Sequence, residues 1–275
     1  MFLMLGRRRV AVHRGKAMAK PAVLLVGADK GGVGKTTVSR TLLDYFTARK
    51  VPVRAFDTEY PKGTLKRFHP EITDIVDVTA VADQMKIFDT LDASEAQITL
   101  IDVRAGLMSP TLRALRDIGF LDMGKKGQLT FAVFHILGPT IASLDEIAET
   151  SKFLSDAKYF LVKNFVNNTS FFDWDQGTYN AYFNQIHDAV EITIPKLSEM
   201  ACEQVELASV PYIHFIANRG ANGEAANNSF VLRGYVRHWL GSVWAEYDRV
   251  KLTDIIDARE SNKPRSVSPV VKQAS

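Results

Sequence analysis

Short apolar runs alternate with segments of helical periodicity along most of this 275-residue chain. PAVLLVGA (21–28) is a compact run rich in branched residues, and TTVSRTLLDYFTARK (36–50) then places Val38, Leu42 and Phe46 at helical spacing. The alternation continues through VPVRAFDTE (51–59), QITLIDVRAG (97–106), LTFAVFHIL (129–137), KYFLVKNFV (158–166), AVEITIPK (189–196) and VPYIHFIA (210–217), all read as strands. Helices are expected around 109–117, 140–155 and 197–207. A long one over 228–249 carries Leu232, Val236, Trp239, Leu240, Val243 and Tyr247 on or near one face. Near-continuous apolar strands are those buried on both faces, so the pattern predicts an α/β fold, a doubly wound and mostly parallel sheet flanked by helices. No internal repeat and no second core is visible.

A chain of this length with 46% hydrophobic residues suits one large domain, expected over 21–257. Six of the 34 basic residues fall in residues 1–20 without an acid, so the rest of the chain, holding all 31 acids, is net acidic by three. That basic stretch is read as a flexible, solvated extension or an upstream start before Met18, in preference to an arm for DNA or acidic lipid. Its apolar run is too short for a membrane span or a secretory signal. The segment 258–275 reads as a disordered tail. Cys202 is the only cysteine, which removes an intrachain disulfide and a thiolate cluster and fits a cytoplasmic protein.

Candidate chemistry starts at GADKGGVGKTTVSR (27–40), between the first strand and its helix. Gly31, Gly32 and Gly34 let backbone amides approach phosphate oxygens, and the helix adds its positive end. Lys35 would reach the β- and γ-phosphates, and the Thr36 hydroxyl would ligate Mg²⁺. Glycine-rich turns with coincidental lysines exist, but the flanking strand and helix argue against that reading here.

The ordinary phosphate loop needs glycine at position 29, where this chain has Asp29. The stretch Lys30-Gly31-Gly32-Val33-Gly34-Lys35-Thr36 instead resembles the deviant Walker A motif of the ParA/MinD family of P-loop ATPases, and the order of motifs resembles that family over roughly 21–215. The resemblance implies that Gly31, Gly32, Val33, Gly34, Lys35, Thr36 and Thr37 bind ATP with Mg²⁺. It also implies that Lys30 crosses to the nucleotide of a second subunit in an ATP-dependent homodimer. FDTEYPKG (56–63) resembles the family's acidic stretch after the second strand; Asp57 matches its first acid, and Glu59 stands where an aspartate usually positions the attacking water. Glutamate is one methylene longer, which would slow the reaction. Asp102, ending LIDV, matches the carboxylate that holds Mg²⁺. Arg104 and Ala105, before Gly106, depart from the family's switch segment; Arg104 is left open between phosphate, partner and solvent.

Asn164, just past its strand, matches the family's adenine-reading asparagine, with Asn167 and Asn168 as competitors, and backbone at Pro195 and Lys196 is expected to border the base. The aromatic stretch 170–190 is read as a helix packed on the sheet rather than as a partner surface. The implied function is a ParA-like switch ATPase that positions plasmid, chromosome or other cargo, with a partner protein stimulating slow hydrolysis. The tail beyond Ser261 does not build an amphipathic membrane helix, so nonspecific DNA is the expected surface, with Arg219, Arg233, Arg237, Arg249 and Lys251 as phosphate contacts. Two alternatives stay open: a small-molecule ATP-dependent metabolic enzyme on the same loop, and an adaptor that binds ATP with little hydrolysis. The nitrogenase iron-protein branch lacks its cysteines here, and the bacterial tyrosine-kinase branch its tyrosine-rich tail.

Overall fold

The computed structural model describes residues 20–254 apart from 29, 92–93, 139, 152–153, 155–156, 167–169, 172–174 and 185–188. The expectations for both termini, for Asp29, Asn167 and Asn168, and for Phe172 and Trp174 lie outside the described residues. In chain order the elements are β1 (Ala22–Gly27), α1 (Lys35–Ala48), β2 (Val53–Asp57), α2 (Thr64–Phe68), β3 (Thr73–Ile75), α3 (Val81–Phe88), β4 (Ile98–Asp102), α4 (Met108–Asp117) and α5 (Phe120–Lys125). They continue with β5 (Thr130–Ile136), α6 (Ile141–Ser151), β6 (Lys158–Asn164), α7 (Gln176–Phe183), β7 (Val190–Ile194), α8 (Glu199–Ala208), α9 (Tyr212–Ile216) and α10 (Phe230–Arg249).

The strands form one seven-stranded sheet in the order β3-β2-β4-β1-β5-β6-β7, every pair parallel. Successive side chains of a strand point to opposite faces. Along β1, Ala22, Leu24 and Val26 enter a core layer with α1, α8, α9 and α10, while Val23 and Leu25 enter a second layer with α3, α4, α5 and α7. All five are buried, as the continuous apolar run predicts for a strand covered on both sides. The doubly wound sheet is therefore present. Its winding reverses at β1, between β4 and β5, and the crevice outside the carboxyl ends of such strands is where ligands bind.

One element is corrected. VPYIHFIA is not an eighth strand: Pro211 opens the short helix α9 instead. Tyr212 and Phe215, three apart, are the buried pair, which is helical spacing, and the Asp44 carboxylate accepts from the Ile213 amide at the helix start. Between Thr64 and Phe88, where the sequence pattern marks no element, the chain forms α2, the three-residue edge strand β3 and α3. Within the aromatic stretch, α7 packs Tyr179 into the core beneath the sheet, as expected.

Candidate functional site

Three strand ends converge at the reversal point. β1 runs into the glycine loop, and Asp57 and Asp102 are register partners at the ends of β2 and β4. They enclose a cavity of about 390 Å³ lined by Gly31, Gly32, Gly34, Lys35, Thr36 and Thr37 of the loop, by Asp57, Glu59 and Thr64, and by Asp102, Val103, Arg104 and Ala105. Most of the residues expected to hold nucleotide and metal are thus gathered in one place. Val33 is buried beneath the loop.

The loop's shape depends on two glycines in the left-handed region, Gly32 at φ 77° and Gly34 at φ 84°. Gly34 is also the N-cap of α1, and no side chain caps that helix or places an acid in its first turn. Its first amides are therefore open to an anion, with the helix dipole behind them. Asn164 braces the loop from β6: its Nδ2 donates to the carbonyls of Val33 at 3.1 Å and Gly34 at 3.3 Å. A methyl group on Gly34 would lie 2.2 Å from that nitrogen. The nitrogen of the asparagine amide expected to face adenine thus bonds to the phosphate loop. Pro195 follows Ile194, the register partner of Asn164, and its carbonyl accepts from Trp239 Nε1 at 2.7 Å. It lines a second cavity, of about 580 Å³, with Lys196, Leu197, Tyr235 and His238.

The two acids after the strands have different duties. Asp57 is buried and accepts from three amides, those of Glu59 (2.9 Å), Leu65 (2.6 Å) and Lys66 (3.1 Å), so it closes the loop and caps α2, whose own N-cap is Gly63. Asp102 Oδ2 accepts from Thr36 Oγ1 at 3.1 Å, while its Oδ1 is buried without a partner. Burial, and then the neighbouring Asp57, push its carboxyl up to about 7, partly offset by the Thr36 and Ser39 hydroxyls and by Lys35. A hydroxyl beside an unsatisfied carboxylate oxygen suits a hard divalent cation such as Mg²⁺, which takes one or two protein oxygens and fills its remaining positions with water and phosphate. Among the described residues no three His, Cys, Asp or Glu are placed to hold a metal by themselves.

The two lysines part company. Lys35 lines the cavity, its Nζ 3.0 Å from the carbonyl of Lys30. Lys30 is exposed and lies outside that lining; its Nζ donates to Thr140 Oγ1 at 2.8 Å. Thr140, and Thr64, whose hydroxyl donates to the Glu59 carboxylate, are site residues that the sequence reading did not single out. Thr64 follows Gly63 in the quoted acidic stretch and was within reach of a capping argument; nothing in the sequence ties Thr140 to a lysine 110 positions away. Of the five basic residues expected to meet DNA, Arg219, Arg237, Arg249 and Lys251 are exposed and Arg233 is half-buried. Arg249 is paired with Glu246 at 2.9 Å and bonded to the Glu191 carbonyl at 2.7 Å, and Arg233 reaches the Ile216 carbonyl.

A parallel sheet wound in both directions, with a glycine loop and an uncapped helix after its central strand, defines a P-loop nucleotide-binding fold. Solved structures similar to this chain include the MinD cell division protein of Aquifex aeolicus, at 12% identity over 80% of this chain and 97% of that one with a TM-score of 0.47. Others are a nucleotide-binding protein in complex with ADP from Archaeoglobus fulgidus (15% identity, 67% and 85% of the two chains, TM-score 0.46) and the 54 kDa protein of the signal recognition particle from Aeropyrum pernix in complex with GDP (16%, 86% and 50%, 0.42). The fold assignment stands on the sheet order and the loop. No family model matches the chain, and no curated protein matches it.

Proposed function

We propose that this protein is a ParA-like switch ATPase of the cytoplasm, which closes into a homodimer around ATP and uses the dimer to position plasmid, chromosome or other cargo on nonspecific DNA. The observation that carries the proposal is the separation of the two lysines. Lys35 belongs to the cavity, whereas the Lys30 ammonium is exposed outside it, available to a nucleotide held by a second subunit. A cation that reaches the phosphates only on pairing links nucleotide, dimer and hydrolysis.

In this reading the loop amides and Lys35 hold the phosphates, and Thr36 and Asp102 hold Mg²⁺, which supplies charge neutralisation at the phosphoryl group. Glu59 orients the attacking water. Exposed Arg219, Arg237 and Lys251 give phosphate contacts to DNA. Retention on nonspecific duplex DNA with ATP, with ADP or without nucleotide, across a salt series, tests this. ATP-dependent, salt-sensitive retention that disappears in Lys30→Ala is expected; binding indifferent to nucleotide would remove the switch.

One observation favours a second reading, an ATP-binding adaptor with little hydrolysis: the Glu59 carboxylate is engaged by the Thr64 hydroxyl. Single-turnover hydrolysis with Thr64→Ala beside wild type separates the two. A faster variant points to Glu59 as the water-positioning group held back by Thr64, and no turnover in either points to the adaptor.

A further inference from the structure

A third cavity, of about 170 Å³, lies between α1, the end of α2 and the start of α9, away from the nucleotide cavity and sharing no lining residue with it. Its apolar wall includes Phe68, Val210 and Ile213, and its polar groups include Asp44, His69 and His214. Asp44 is fully buried and His69 is 5% exposed. Asp44 Oδ2 accepts from the Ile213 amide at 3.3 Å, but Asp44 Oδ1, His69 Nε2 and His214 Nδ1 are buried with no hydrogen-bond partner. His69 Nε2 and Asp44 Oδ1 are 4.0 Å apart. Orphaned buried polar atoms carry a desolvation penalty, which a ligand supplying the missing partners would relieve.

The surrounding charges decide the ligand's sign. Arg40 and Arg67 both pair with Glu206, Arg40 at 2.7 Å, and both guanidinium groups lie over the Phe68 ring, at 3.4 and 4.3 Å. An arriving anion would meet the carboxylates of Asp44 and Glu71 and, of the two arginines, only Arg67 in the cavity wall, already paired with Glu206; Arg40, whose Nε and one Nη are buried without a partner, does not line the cavity. An arriving cation with several N–H groups would meet a carboxylate oxygen and two imidazole nitrogens able to accept. Burial pushes the Asp44 carboxyl up to about 7 even with Arg40 one turn away, and holds His69 down at about 3, which keeps that ring neutral. The same three residues do not make a metal site, since no such group exists among the described residues.

We propose that this cavity is a binding site for a small primary amine, its ammonium group on Asp44 Oδ1 between His69 and His214 and its apolar body against Phe68 and Ile213. A cavity near 150 Å³ accommodates about six carbon atoms, so the body is short. The site does not depend on the proposed ATPase function.

The test is an NMR titration of the full chain with n-butylammonium chloride at about pH 8, above the range in which burial keeps Asp44 protonated. n-Butanol serves as the neutral counterpart and sodium butyrate as the anionic one, with the amides of Ile213 and His214 as reporters. Saturable shifts with n-butylammonium are expected at a Kd about tenfold or more below that of n-butanol, the worth of a charge-assisted hydrogen bond, with none from butyrate. Asp44→Asn keeps an acceptor for the Ile213 amide and removes the charge, and should abolish the preference. Should that variant fail to fold, Ala221→Phe, at an exposed residue of the cavity lining, should block entry. Equal affinities for n-butylammonium and n-butanol, an unchanged affinity in Ala221→Phe, or no saturable shift, meaning that water alone fills the cavity, would each overturn the proposal.

Discussion

Asn164 shows how a single side chain redistributes roles within the site. Its amide nitrogen bonds to the carbonyls of Val33 and Gly34, so it sets the shape of the phosphate loop whatever base lies beyond. Asn164→Ala should therefore weaken ATP and GTP alike, by about tenfold for the loss of one or two net hydrogen bonds, in a titration with fluorescent analogues of both. Loss of ATP affinity with GTP untouched would return the residue to base recognition. Gly34→Ala adds a methyl group at φ 84° against the Asn164 amide. It should cost about 1–3 kcal/mol, read as a lower melting temperature, and should remove nucleotide binding with it. Lysines and glycines at fixed spacing made the loop legible because phosphate chemistry restricts which residues serve there. Asn164 was legible as a strand-end amide, but its partner was not, since loop and strand end lie about 130 positions apart.

The elements α1, α2 and α9 meet around groups whose charge state depends on burial. Asp44 has a folded pKa of about 7, raised above its unfolded value near 4, so its contribution to stability is full below about pH 4 and is lost as pH rises through 7. His69 behaves oppositely: its folded pKa of about 3 is depressed below 6.5, so its contribution is full above about 6.5 and lost as pH falls towards 3. Between about pH 4 and 6.5 the two oppose each other. Urea midpoints of His69→Gln should then fall with rising pH more than those of wild type, and midpoints of Asp44→Asn should rise more. Parallel profiles in all three proteins would contradict the assignment. VPYIHFIA, short and apolar, reads as a strand yet forms the helix α9 that completes this interface, because over so few residues periodicity does not separate the two. Pro211 before a buried pair three apart was the available signal.

At the scale of the whole molecule, the fold was legible because strands buried on both faces leave a strong apolar signature, as β1, β4 and β5 do. The edge was less so: β3 is three residues long and pairs on one side alone, so little in TDI distinguishes it from a loop. The sheet order then places the glycine loop, Asp57 and Asp102 at one crevice and leaves Lys30 facing out of it. That outward lysine is the feature on which the switch reading depends. Sedimentation velocity of wild type, Lys30→Ala and Lys35→Ala with Mg²⁺ and ATP, ADP or no nucleotide addresses it most directly. The account predicts a dimer only for wild type with ATP, a Lys30→Ala protein that still binds ATP yet stays monomeric, and a Lys35→Ala protein that does neither. A Lys30→Ala protein that dimerises with ATP as wild type does would contradict it.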